Sequence, residues 1–214
     1  ADHLAWLQRF GFDQQLLEGW RGAVAANELS KEGNLIQGEL KAPGVHDIVD
    51  VPGEEDPEHR RLLDLGEGAL RRGEVGIVIL NGGMATRFGG VVKGVVDVFP
   101  PDESGRKRSF LALRMADVRD LQARFETRIP VFLMNSFATD AATREHFEEN
   151  DHFGLDPKFI HHFTQFVSLR MTADGDLFQL PADADQGPVG PFSAYGPGQG
   201  AFAPALQASG CQRT

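Results

Sequence analysis

Apolar positions along the chain follow two rhythms. Over residues 1–29, Leu4, Trp6, Leu7, Phe10, Leu16, Leu17, Trp20, Val24 and Leu29 recur at helical spacings. They predict two amphipathic helices broken near Gly11. Residues 30–56 carry Gly33, Gly38, Pro43, Gly44, Pro52 and Gly53 among few periodic apolar residues, which predicts a linker. A helix should then start at Glu54-Glu55-Asp56-Pro57, where acids suit the positive end of the dipole, run to about Arg72 and stop at Gly73.

The rhythm changes at Val75-Gly76-Ile77-Val78-Ile79-Leu80, a nearly continuous apolar run that predicts a strand buried on both faces of a parallel sheet. Pro130-Val131-Phe132-Leu133-Met134-Asn135 repeats it. Ser109 to Phe125 reads as a helix, and so does Thr139 to Asn150, with a threonine and an aspartate available as caps. Phe159 to Phe166 reads as a third strand containing core phenylalanines, and Leu169 to Leu180 as a hairpin centred on Asp174-Gly175. Gly187 to Gly200, rich in Gly and Pro, predicts a loop close to a ligand or another backbone. Strands alternating with helices imply an α/β fold over 57–214, a three-layer sandwich on a mostly parallel Rossmann-like sheet. An N-terminal helical segment and linker, 1–56, precede it.

Composition narrows the function classes. With 214 residues, 41% of them hydrophobic, the chain suits one globular domain with a small appendage. A formal net charge of −10 repels polyanions and argues against nucleic acid as a partner. Arg106-Lys107-Arg108 then reads as a solvated loop tip. No run has the apolar length to span a bilayer, and the start, Ala-Asp-His-Leu-Ala-Trp, lacks the pattern of a leader. The single cysteine, Cys211, permits no disulfide within the chain, in keeping with a reducing cytoplasm. Adjacent His161 and His162 face opposite sides of a strand, and His146 and His152 miss the i, i+4 spacing, so no zinc site is expected.

The richest segment follows the first strand: Asn81-Gly82-Gly83-Met84-Ala85-Thr86-Arg87-Phe88-Gly89-Gly90-Val91-Val92-Lys93-Gly94. Glycines at 82 and 83 permit positive φ and close approach, so that backbone N–H groups can meet phosphate oxygens. Arg87 adds a planar fork, Thr86 a hydroxyl and Lys93 a mobile point charge. Neither G-x-x-x-x-G-K-[ST] nor G-x-G-x-x-G can be aligned in the loop, which disfavours a P-loop kinase and a dinucleotide dehydrogenase.

This loop resembles the L-x-x-G-x-G-T-R-x-G and P-K-G signature of sugar-nucleotide pyrophosphorylases. With Leu133-Met134-Asn135-Ser136-Phe137 it is similar to the UTP–glucose-1-phosphate uridylyltransferase branch; the UDP-N-acetylhexosamine pyrophosphorylases share the first motif. Resemblance runs from about residue 57 onward. Ala85 stands where a glycine is expected and Val92 where a proline is expected; alanine at 85 is compatible with the loop if its φ is negative. The resemblance implies the nucleotide-diphospho-sugar transferase fold and transfer of a uridylyl group from UTP to a sugar 1-phosphate, with Mg²⁺ as cofactor and glucose 1-phosphate as the expected acceptor.

Carried over residue by residue, Arg87 and Lys93 would be catalytic, holding the leaving phosphates and spanning the attacking and α-phosphates. Gly82, Gly83, Met84 and Thr86 match the backbone that meets the nucleotide, and Gln165 the reader of uracil; bonded to backbone or water, Gln165 would be structural only. Tyr195-Gly196-Pro197-Gly198-Gln199-Gly200-Ala201 resembles the family loop at nucleotide and sugar, giving Gly198 to the nucleotide and Gln199 to the substrate. Asn135, with Ser136, either supports the substrate or caps the next helix. The family's N-x-D-N segment with its metal aspartate does not occur in the 214 residues, so the expectation is an N-terminal piece with an open, apolar sheet edge, weak UTP binding and little turnover. A non-catalytic nucleotide-binding module built on the same loop is the alternative.

Overall fold

The computed structural model describes residues 3–29, 35–36, 38–85, 91–101, 103, 105, 108–184 and 187–211. In chain order it has α1 (His3–Arg9), α2 (Gln14–Ala25), α3 (Pro57–Arg71), β1 (Ile77–Leu80), β2 (Met84–Ala85), β3 (Val91–Val92), β4 (Asp97–Phe99) and β5 (Arg108–Ser109). Then follow α4 (Phe110–Phe125), β6 (Val131–Asn135), α5 (Asp140–Glu149), β7 (Ile160–Thr164), β8 (Ser168–Leu169), β9 (Ala194–Tyr195) and α6 (Phe202–Ser209).

Local chemistry sets the helix ends. Asp13 and Asp56 accept from Leu16 N–H and Glu58 N–H at the starts of α2 and α3, and Ser109 accepts from Ala112 N–H at the start of α4. Gly11 and Gly73, the expected breaks, have φ of +66° and +69°. Thr139 does not cap α5 as expected. Its hydroxyl instead accepts from Ser136 N–H and donates to Asn81 O, tying the ends of β6 and β1 together.

The main sheet is parallel, in the order β1-β6-β7, with Ile77 opposite Val131 and Val131 opposite Ile160. One face carries α4 and α5: Leu111, Met115, Val118 and Phe147 bury against Ile129, Val131 and Leu133. The other carries α6, where Ala205 packs with Met134 and Phe163. These are the three layers expected from the alternation. Each of the larger side chains contributes about 1.5–3 kcal/mol by leaving water. β6 is covered on both faces, but β1 is not: Val78 and Leu80 are 39% and 43% exposed. The expectation of two covered faces fails there, because the helices pack over Ile77 and Ile79 only.

Trp6, Leu7, Phe10 and Phe12 pack with Val167, Leu169, Val189 and Phe192. Phe10 O accepts from Val167 N–H, Arg21 Nε donates to Gly175 O, and His3 Nδ1 lies 3.0 Å from Pro188 O. Residues 38–56 hold no helix or strand. The hairpin around Gly175 is present, with Met171 bridging Leu177. Gly187 to Gly200 approaches another backbone, as expected, since β9 pairs antiparallel with β8. After α5, Asp151, His152 and Phe153 take left-handed φ of 48°, 48° and 55°, ending in Gly154 at 77°.

Candidate nucleotide site

Three segments leave the carboxyl ends of β1, β6 and β7, where open parallel sheets gather ligands. After β1, residues 81–83 lead into a hairpin: Met84 pairs with Val92 and Ala85 with Val91, and Lys93 N–H donates to Gly83 O at 3.4 Å. The backbone of 84–85 and 91–92 is thus spent in a ladder rather than open to an anion. Residues 86–90, Thr86 and Arg87 among them, lie outside the described residues. The backbone at Ala85 is extended strand, the negative-φ case in which alanine is compatible with the loop. Val92 is buried, so a branched apolar side chain suits a core-facing position of the second strand.

Of the two uses that glycine permits, positive φ is not taken up at Gly82 or Gly83. Close approach explains Gly82: a Cβ there would stand 2.9 Å from Gln165 Nε2. A Cβ on Gly196 would meet the same nitrogen more closely still. The Gln165 amide is therefore sandwiched between the glycine of the β1 loop and the glycine of the loop after β9. Its side chain is 7% exposed, and among the described residues it has no hydrogen-bond partner. Its backbone N–H is anchored to Asn135 O at 2.8 Å. An amide held in place with its donor and acceptor unspent suits a ligand edge that offers one of each.

Lys93 is brought to the same loop, its Cδ 3.8 Å from where a Cβ on Gly83 would stand; it is exposed and forms no ion pair with a described residue. Met84 is half-buried in the hairpin. Gly198, with φ of +123°, and Gln199 are exposed and open the turn before α6, and nothing lies within 4 Å of a Cβ built on Gly198. Gly196 rather than Gly198 is the residue that reaches Gln165.

Asn135 is wholly buried, and its side chain is spent inside the protein. It accepts from Asn81 Nδ2 at 2.9 Å and donates to Asp140 Oδ1 at 2.8 Å. Asn81 Nδ2 also donates to Thr143 Oγ1 at 2.8 Å, and Thr143 donates to Thr139 O. Ser136, 4% exposed, gives its N–H to Thr139. The sequence offered Thr139 only as a helix cap and gave no role of their own to Asn81 and Thr143, whose partners lie far away in the chain. His162 Nδ1 lies 3.3 Å from Asn135 Nδ2, and burial, with Arg144 beside it, brings its pKa down to about 4. The ring is neutral at pH 7, with Nδ1 free to accept. Among the described residues no group of three or more His, Cys, Asp or Glu could hold a metal ion.

The protein family described as UTP–glucose-1-phosphate uridylyltransferase matches residues 34–213. UDP-N-acetylglucosamine pyrophosphorylase of Saccharomyces cerevisiae is 30% identical over 134 residues, 61% of this chain and 28% of that protein. UTP–glucose-1-phosphate uridylyltransferase of Solanum tuberosum is 32% identical over 162 residues, 75% of this chain and 29% of that protein. The chain thus spans under a third of the length of these relatives. Among solved structures, the uridine diphosphate N-acetylglucosamine pyrophosphorylase of Trypanosoma brucei superposes with a TM-score of 0.61 at 23% identity, covering 96% of this chain and 45% of that one, a likeness of fold. The match over most of the chain has a plain meaning: the protein belongs to the UTP–glucose-1-phosphate uridylyltransferase family.

Proposed function

We propose that the chain carries the nucleotide-binding side of an enzyme that joins UTP to a sugar 1-phosphate, releasing pyrophosphate. The observation that carries this reading is the Gln165 amide, fixed between Gly82 and Gly196 with both hydrogen-bonding ends unspent. Uracil presents carbonyl acceptors and an N–H donor, which one carboxamide satisfies. Lys93 beside Gly83 then lies on the phosphate side of the nucleotide.

In the reaction a phosphate oxygen of the sugar 1-phosphate attacks the α-phosphorus of UTP. A P–O bond forms there as the bond to the β-phosphate oxygen breaks, and no covalent protein intermediate is needed. The protein's task is positioning and charge neutralisation. Lys93 spans the attacking and α-phosphates, Arg87 holds the leaving phosphates, and Thr86 and the backbone of Gly82, Gly83 and Met84 line the nucleotide. Asn135 acts from beneath, through Asn81. Gly198 and Gln199 border the nucleotide and sugar. The described residues offer no carboxylate cluster for Mg²⁺, so no step is assigned to the metal, which this reading admits only as the counter-ion of the phosphates. Glucose 1-phosphate is the first acceptor to test, and a cytoplasmic setting suits these substrates.

Two further readings have support. The relatives' names divide between UDP-glucose and UDP-N-acetylglucosamine enzymes, which favours testing N-acetylglucosamine 1-phosphate alongside. Ala85, Val92 and Gln199 depart from the family pattern, which favours a nucleotide-binding module without turnover. Calorimetry of the chain with UTP, ATP and each sugar 1-phosphate, all with Mg²⁺, tests the proposal. UTP-selective binding weakened by Arg87→Ala is expected; no UTP binding by a sample that circular dichroism shows to be folded refutes it.

A further inference from the structure

The buried carboxamide of Asn81 lies under the hairpin rather than in the site, and its contacts divide cleanly. Nδ2 spends both hydrogens downward, on Asn135 Oδ1 at 2.9 Å and Thr143 Oγ1 at 2.8 Å. Those two acceptors belong to β6 and α5, and both are wholly buried, so the amide plane cannot rotate without leaving polar atoms unpaired. Oδ1 points the other way, into the space where a side chain on Gly94 would begin. Leu111 closes the rest of that space, 2.8 Å from the same point. Gly94 is buried, and the residue before it, Lys93, has its side chain beside Gly83 and its N–H on Gly83 O.

We infer that Asn81 is a positioning residue that sets where the Lys93 ammonium stands relative to the nucleotide phosphates. The contact Asn81–Gly94 forms a floor under the Lys93 backbone, and the bonds to Asn135 and Thr143 fix that floor to the sheet and to α5. A glycine at 94 lets the hairpin settle directly on the carboxamide; any larger residue lifts Lys93 away. This rests on the reading of the hairpin as the phosphate site. It extends that reading from residues that touch the nucleotide to one that does not.

Because Asn81 acts through Lys93, its removal should weaken recognition of phosphates and spare recognition of the base. The test is calorimetric binding of UTP and of uridine, both with Mg²⁺, to wild type, Asn81→Ala, Lys93→Ala and the double variant. Thr143→Val is a milder second variant, isosteric but unable to accept from Asn81 Nδ2. Asn81→Ala is expected to weaken UTP binding about tenfold and to leave uridine binding within about twofold, with no further loss in the Lys93→Ala background. Thr143→Val should follow the same pattern at smaller size, and its thermal unfolding shows that the fold is intact. Equal losses for UTP and uridine, or full additivity with Lys93→Ala, would overturn the inference while leaving the nucleotide site standing. Failure of wild type to bind UTP would instead overturn the site itself, and the inference with it.

Discussion

Replacing Gly196 by alanine should move one functional group and little else. The backbone at 196 is outside the positive-φ region, so alanine is conformationally permitted. Its methyl would overlap Gln165 Nε2 and stand 2.7 Å from Gln165 Cδ, nearer than real Cβ contacts come. What must give is the far end of a flexible side chain, which swings for about 0.5–1.5 kcal/mol if it leaves its rotamer well. The melting temperature should therefore fall by only a few degrees. Ligand recognition should fall further. An amide displaced from the base forfeits two hydrogen bonds worth about 0.5–1.5 kcal/mol each, which is about 5-fold to 150-fold in UTP affinity. Calorimetric titration of UTP into Gly196→Ala measures it, with the Gln165→Ala background as the control. If alanine at 196 acts by moving Gln165, the second loss vanishes in that background. Wild-type affinity in Gly196→Ala, or an undiminished loss when Gln165 is already alanine, would refute the account.

Burial holds the pKa of His162 at about 4, below the 6.5 of an ordinary histidine. The unfolded chain binds this proton more readily between those values, so stability is fully present above pH 6.5 and falls as the medium is acidified toward pH 4, by about 2 kcal/mol after its partial exposure is discounted. Denaturant unfolding of wild type and His162→Asn between pH 5 and 7 reads it: the variant should show the shallower slope, and equal slopes would rule His162 out. Leu133, with no exposed surface at the centre of the sheet, should cost about 2–5 kcal/mol when cut to alanine, seen as a lower urea midpoint. Lys93→Gln should weaken UTP about tenfold and reduce the salt dependence of binding, measured by titration at two ionic strengths.

Much of the scaffold was legible because its signals are local. Asp56-Pro57 and Gly73 bracket α3, and the two apolar runs mark β1 and β6. What escaped depends on partners distant in the chain. The exposure of Val78 and Leu80 reflects which layers cover β1, a fact no apolar run contains. Asn81 meets Asn135 and Thr143 across 54 and 62 residues, and Gln165 meets Gly82 only in the folded sheet. The glycines at 82 and 83 could serve an unusual backbone angle or a close approach, which a sequence cannot tell apart; at Gly82 it is the missing side chain that matters. The left-handed run at Asp151, His152 and Phe153 carried only Gly154 as a local cue.

The bond between His3 and Pro188 spans 185 residues, and the same helix buries Leu7 against Val167 and Val189. During synthesis, then, α1 emerges with its apolar face uncovered and cannot dock until residues 167–192 have followed it. The β1-β6-β7 sheet and its helices can close first, leaving α1 and α2 to dock afterwards. Such an order makes them a late, high-contact-order step, exposed meanwhile to chaperones and proteases. Unfolding would run the other way, with residues 3–25 released before the sheet opens, so limited proteolysis should cut within α1 and α2 first and leave the β1-β6-β7 core intact.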